Sequence, residues 1–298
     1  MSIRVNPNVT PDLLQAIALD RQAQTTALQE ISTGQQVNQL SDNPAAAADV
    51  VLSHIQSGQD DQFLQNASDL TSQLQTADSA LNSVVTAVTQ AISLGVEGAN
   101  GTLNDSNRQA IAQQVSGILN QVLSLANQTY QGSYLFAGTA TGTQPFALDS
   151  TQPDGVKYDG NNDLNTIEVS QGNAIQINVP GSQIFTNGSG DLFGALNGLI
   201  TALQTNTNIG TAVTNLQTAF SQLTTQRVFY GNALQQLQSV QTFLNGDKLQ
   251  VSTQENSLIG VDLAAASTNL AQSTTATNAI LSATNQILTT MNLLDFLR

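Results

Sequence analysis

The feature that most constrains this chain is a run of apolar residues stepped alternately four and three apart: Phe63, Ala67, Leu70, Leu74, Ala77, Leu81, Val84, Val88 and Ala91. An α-helix turns every 3.6 residues, so this spacing sets all of these side chains on one narrow stripe, the seam of a left-handed coiled coil. Such a stripe needs another helix to cover it, and two later stretches carry the same step. One is Ile111, Val115, Ile118, Val122 and Leu125. The other is Leu216, Phe220, Leu223, Arg227, Tyr230, Leu234, Leu237, Gln241, Leu244, Lys248 and Val251. Small Ala alternates with Leu in the first seam, which lets a partner approach closely. The first helix should run from Pro44 to about Leu94, roughly 75 Å at 1.5 Å per residue. Arg227 falls on a seam. A polar seam residue lowers stability and commonly fixes register, so Arg227 is the register candidate. The alternative is an edge position with its head group in water.

Punctuation divides the rest. Asn43 before Pro44 is pushed out of the helical region, and Pro44 pre-sets the first helical φ, so Ser41-Asp-Asn-Pro44 reads as a turn into a helix. Gly95, Gly98, Asn100 and Gly101 mark a break, after which Asn104 or Ser106 caps a helix ending near Gln131-Gly132. Beyond it the period changes. Short β-branched or alternating runs at 155–158, 166–169 and 174–179, set between Gly, Pro and Asp-Gly turns, read as antiparallel strands. Asp191 is placed to cap a short helix from Leu192 to Leu203.

The two ends are weaker. Thr10 and Pro11 suit N-cap and N1 of a first helix, with Asp12 favourable in its first turn and Gly34 as its C-cap. Its apolar positions are Leu13, Ile17, Leu28 and Ile31, with Asp20, Arg21 and Gln24 between them. The last helix, about Leu258 to Leu297, carries Leu263, Leu270, Ile280, Ile287 and Leu294, weakened by Thr277 and Thr284 and followed by Phe296. Stripes this thin bury too little area to offset the entropy of ordering a helix. These ten apolar residues are therefore the candidates for a subunit interface. The expectation is that the terminal helices pair with each other and with neighbouring subunits, ordering on assembly.

The fold class expected is mainly α: a long coiled-coil helical rod formed by N- and C-terminal segments, with a small β-rich insertion in the middle. Three domains are expected: 1–42 with 256–298 as a terminal helical core, 43–133 with 191–255 as the rod, and 134–190 as the outer insertion.

Composition narrows the function. A net charge of −14 over 298 residues argues against nucleic acid and against an anionic membrane surface. Only 9% of residues are charged, so copies repel one another weakly and close packing is favoured. The chain has no Cys, which removes disulfides, thiolate nucleophiles and cysteine zinc sites. No unbroken apolar stretch of about 18 residues is present, and the first residues lack the apolar core of a cleaved secretory signal. No catalytic, cofactor-binding or metal-binding residue is expected. His54 is the single histidine and has no partner set for metal or nucleophilic chemistry. Asp159, Asn161 and Asp163 imitate half a calcium loop, but Leu164 and Ser170 stand where the loop needs Gly and Glu, so a hydrogen-bonded turn is the better account. Gly188-Ser-Gly190 has neither the Lys nor the spacing of a phosphate loop.

Four stretches carry a resemblance: Ile31-Ser-Thr-Gly-Gln-Gln-Val-Asn-Gln-Leu-Ser-Asp-Asn-Pro-Ala-Ala-Ala47, Gly132-Ser-Tyr-Leu-Phe-Ala-Gly138 with Pro145-Phe146, Arg227-Val-Phe-Tyr-Gly-Asn-Ala-Leu234, and Leu293-Leu-Asp-Phe-Leu297. Together they resemble the bacterial flagellin family, and its hook–filament junction members more than its filament subunits. The resemblance implies terminal helices stacked around an axial channel and a ring of copies between hook-associated protein 1 and flagellin. It also implies an export chaperone and passage through the flagellar type III apparatus. Gln35 and Gln36 depart from the family, which often has basic residues there. A filament-forming flagellin is the first alternative, and a secreted coiled-coil adhesin or effector the second.

Overall fold

The computed structural model describes residues 9–39, 41–152 and 154–295. The chain is α1 Val9–Thr33, α2 Pro44–Gly98, α3 Asp105–Ala126, β1 Thr129–Tyr130, β2 Ser133–Tyr134, β3 Phe146–Leu148, β4 Val156–Tyr158, β5 Thr166–Ser170, β6 Asn173–Gln176, α4 Gly181–Phe185, α5 Leu192–Thr205, α6 Ile209–Ile259 and α7 Leu263–Asp295. It is mainly α, with long helices and small sheets. Its contacts define two units, Met1–Gly58 with Lys248–Arg298, and Gln59–Asp247.

The second unit holds the core. Every member of the α2 seam from Ala67 to Ala91 is buried, as are Ile111, Val115, Ile118 and Val122 of α3 and Leu216, Leu223, Tyr230, Leu237 and Leu244 of α6. The most apolar helix, α5, adds Leu192, Phe193, Leu196, Leu199 and Leu203 and packs on α3. By composition one window of α2 could cross a membrane, with mean hydropathy 1.3; its seam residues instead line this core. Gly95 and Gly98 do not break α2, as the sequence suggested, but lie in its last turns. A Cβ on Gly98 would come within 2.2 Å of Leu203, and one on Gly95 within 2.7 Å of Val213. Glycine there lets α5 and α6 close on α2.

Helix α3 ends earlier than expected. Asn104 caps it, accepting from the Asn107 amide at 2.8 Å, and Asn127 terminates it. The Asn127 side chain then grips a neighbouring strand, accepting from the Phe146 amide at 2.9 Å and donating to its carbonyl at 2.8 Å. Gln131 and Gly132, read from sequence as a helix end, are the turn of the β1–β2 hairpin. Their φ values of +49° and +82° are the positive pair that tight hairpins favour. The insertion is three separate antiparallel hairpins, β1–β2, β3–β4 and β5–β6. Strand β3 escaped the sequence reading because Phe146-Ala-Leu148 is too short to alternate.

Aromatic packing holds the hairpins to α5. Phe146 lies 5.0–5.4 Å from the rings of Tyr158, Phe185 and Phe193, and Phe136 meets Phe185 edge-on at 5.5 Å. On α6, Tyr230 is fully buried with its hydroxyl toward the Val179 backbone, and burial holds its phenol well above the ordinary range. The Asn161 side chain is hydrogen-bonded, accepting from the Thr139 amide at 2.7 Å and donating to Asp163 at 3.0 Å, but residues 161–165 form no turn.

Asp191 caps α5 as expected, accepting from the Gly194 amide at 3.0 Å. Burial raises its pKa, the Gly194 amide opposes that rise, and nearby Asp154 adds to it. A carboxyl raised on folding favours the neutral form. Its contribution is present below the unfolded carboxylate range and is lost as pH rises through the folded value. Asp191→Asn keeps the acceptor and removes the charge. In urea titrations at pH 7 it should be at least as stable as the parent, with a flatter dependence on pH, whereas Asp191→Ala should lose about 1 kcal/mol.

Candidate assembly surface

The first unit is built differently. Helix α1 ends at Gly34, whose φ of +72° and amide bond to the Glu30 carbonyl at 2.9 Å make the expected C-cap. Helix α6 ends at Ile259, and α7 restarts at Leu263. The Asp262 carboxylate caps it through the Ala264 and Ala265 amides at 2.9 and 3.1 Å. The sequence reading ran the last helix through this break from Leu258; Gly260 is where it stops. The two breaks pair with each other. The Gln36 amide donates to the Ile259 carbonyl at 2.7 Å, and the Val261 amide to the Gly34 carbonyl at 3.1 Å. Gln36 Nε2 adds a bond to the Leu258 carbonyl at 3.4 Å. From this bridge α1 and α7 lie side by side and antiparallel.

Next to it, Asn43 caps α2 through the Ala46 amide at 3.1 Å, and Asp42 accepts from the amides of Asn38 and Gln39. His54 sits on an exposed face of α2, 3.0 Å from Glu255.

Half-buried and buried positions reveal a seam in the α1–α7 pair. On α1 they include Leu13, Ile17, Asp20, Gln24, Ala27 and Ile31; on α7, Ala266, Leu270, Ser273, Thr277, Ile280 and Thr284. Both follow the four–three step. Only Ala27 and Ala266 are buried among the described side chains of these two helices. The sequence candidates therefore fall into three groups. Leu13, Ile17, Ile31, Leu270 and Ile280 are half-buried, on the seam toward the other helix. Leu28 and Leu263 are 55% and 54% exposed. Ile287 and Leu294 belong to α7 but their side chains lie outside the described residues, as does Phe296 entirely. The sequence reading passed over Leu14, Leu19 and Leu281, which are exposed on the same helices. Their single spacing gave no periodic signal.

Arg227 projects from α6 in the second unit and makes a two-point grip on Asp78 of α2. Nε bonds Oδ1 at 2.7 Å, Nη2 bonds Oδ2 at 3.0 Å, and Nη1 donates to Asn82 at 2.9 Å. The partner carboxylate raises its pKa further. The head group is held by α2 and stays partly exposed, its side chain at 32%.

A family model for the bacterial flagellin N-terminal helical region matches residues 7–141. Flagellar hook-associated protein 3 of Escherichia coli is 29% identical over 265 residues, covering 78% of this chain and 80% of that protein. The protein of the same name in Salmonella typhimurium is 32% identical over 160 residues, 53% of this chain and 49% of that protein. The chain is similar to flagellar hook-associated proteins over most of its length. Its fold agrees: the solved structure of a flagellar hook-associated protein from Vibrio parahaemolyticus superposes with a TM-score of 0.68 at 19% identity, covering 74% of this chain and all of the other. The likeness is to a family of flagellar structural proteins.

The Arg227 grip generates a prediction. A planar guanidinium matches a carboxylate at two points, and an ammonium does not. Arg227→Lys should lose most of the coupling to Asp78. A double-mutant cycle with Asp78→Ala, read by thermal unfolding, should give about 1 kcal/mol for Arg and near zero for Lys.

Proposed function

We propose that this protein is the hook–filament junction adaptor, joining hook-associated protein 1 to the flagellin filament. Three segments divide the task. Residues 1–42 with 256–298 form the axial core, 43–133 with 191–255 the lateral rod, and 134–190 the outward insertion. Copies close into a ring, and the terminal helices stack with those of the neighbours above and below. The chain reaches its place through the flagellar type III apparatus with an export chaperone.

The observation that carries this reading is the contrast between the seams. Those of α2, α3 and α6 are covered within the chain, while that of α1 and α7 is only half covered. Apolar surface left on an ordered helix favours another helix over water, at about 25 cal/mol per Å². The hook-associated relatives and the Ser41-Asp-Asn-Pro-Ala45 stretch favour the junction over the filament itself.

Deletion of the coding region tests it. The expected result is non-motile cells whose hooks end without filaments, with flagellin released into the medium, and rescue by the intact gene but not by one lacking α7. Motile cells with normal filaments would overturn the reading. Long self-polymers of the purified chain would make it a filament subunit.

A further inference from the structure

The middle of the α1–α7 seam is polar on both sides. Leu13, Ile17, Ala27 and Ile31 flank Asp20 and Gln24 on α1, while Leu270 and Ile280 flank Ser273 and Thr277 on α7. These polar groups form a directed chain. Gln24 Nε2 donates to the Thr277 hydroxyl at 2.7 Å, and that hydroxyl donates to the Asp20 carboxylate. The threonine hydrogen and a lone pair are both used, so each member has one role that its neighbours dictate. An amide and a carboxylate four residues apart on α1 need a hydroxyl between them on α7.

Sliding the seam by one heptad in one direction destroys the match. That slide puts Leu270 in the place of Thr277, between Asp20 and Gln24, whereas the opposite slide puts Thr284 there and keeps a hydroxyl between them. The first leaves Asp20 and Gln24 partly desolvated and unpaired, which is the costly condition for a hydrogen-bonding side chain. The backbone bridge at Gln35 and Gly260 is the other restraint on register. It rests on two main-chain bonds between an exposed segment around Gln35 and a largely buried one around Ile259. Leucine at these seam positions would bury more apolar area but would accept several alignments, since an apolar seam repeats every seven residues.

We propose that Asp20, Gln24 and Thr277 form a specificity layer, barring the slide of α1 on α7 that would bring Leu270 between Asp20 and Gln24, while lowering the stability of the pair. The layer acts within one chain and does not depend on which flagellar neighbours the pair later meets.

The absence of cysteine in the sequence makes cross-linking a clean test. In the full-length monomer, Ile17→Cys with Ile280→Cys reports the native register, and Ile17→Cys with Ser273→Cys reports the slide. With the layer intact, the native pair should oxidise at least fivefold faster. Adding Asp20→Leu, Gln24→Leu and Thr277→Val should bring the two rates within twofold and raise the helix content and melting temperature by circular dichroism. Thr277→Val alone, which conserves volume, should shift the ratio the same way by at least twofold, and Thr277→Ser should restore it. A parent without preference, a ratio unchanged in both variants, or a fall in helix content in Thr277→Val would overturn the proposal.

Discussion

Coverage of heptad seams is the constraint on which the rest of this structure depends. A helix with an apolar stripe is stable in water only when something lies on the stripe. In Gln59–Asp247 the chain supplies its own cover. The α2 seam disappears beneath other helices, glycines at 95 and 98 admit the side chains of α5 and α6, and aromatic rings anchor the hairpins to α5. In the other unit α1 and α7 supply one another with half a cover, and the middle of that contact is polar. One physical rule thus gives a self-sufficient part and a part whose seam is only half covered.

The legibility of the fold followed the same division. The seams of α2, α3 and α6 could be read residue by residue, because a four–three step has no other good explanation. Caps at Asn104, Asp191 and Gly34 were legible because each has a local chemistry. What was lost depended on distant partners. Gly98 reads as a break until Leu203 is seen against it. Gln131-Gly132 reads as a helix end until Tyr130 is seen paired with Ser133. The halt of α6 at Ile259 has only Gly260 to announce it, and the reason for it is a backbone bridge to Gln35, far away in sequence.

The assembly surface was partly legible for a related reason. Thin stripes in the terminal helices stood out as apolar residues too few to pack, and the half-buried seam bears out the expectation that these helices pair. Asp20, Gln24 and Thr277 stood in the sequence as interruptions of the stripe. Their positions on the four–three step were the available sign that they belong to the seam, but that sign does not say which hydrogen bonds they make. Leu28 and Leu263 look alike to Leu13 and Leu270 in sequence; only the pairing separates exposed from half-covered.

The central claim is that the ends of the chain are held by one another only weakly and are completed by neighbours. Amide hydrogen exchange on a verified monomer, followed by the same measurement on the chain assembled in flagella, tests it most directly. The account predicts that residues 11–33 and 263–286 exchange orders of magnitude faster than 67–91 in the monomer and become protected in the assembled state. Protection of both terminal helices equal to that of 67–91 in the isolated monomer would contradict it.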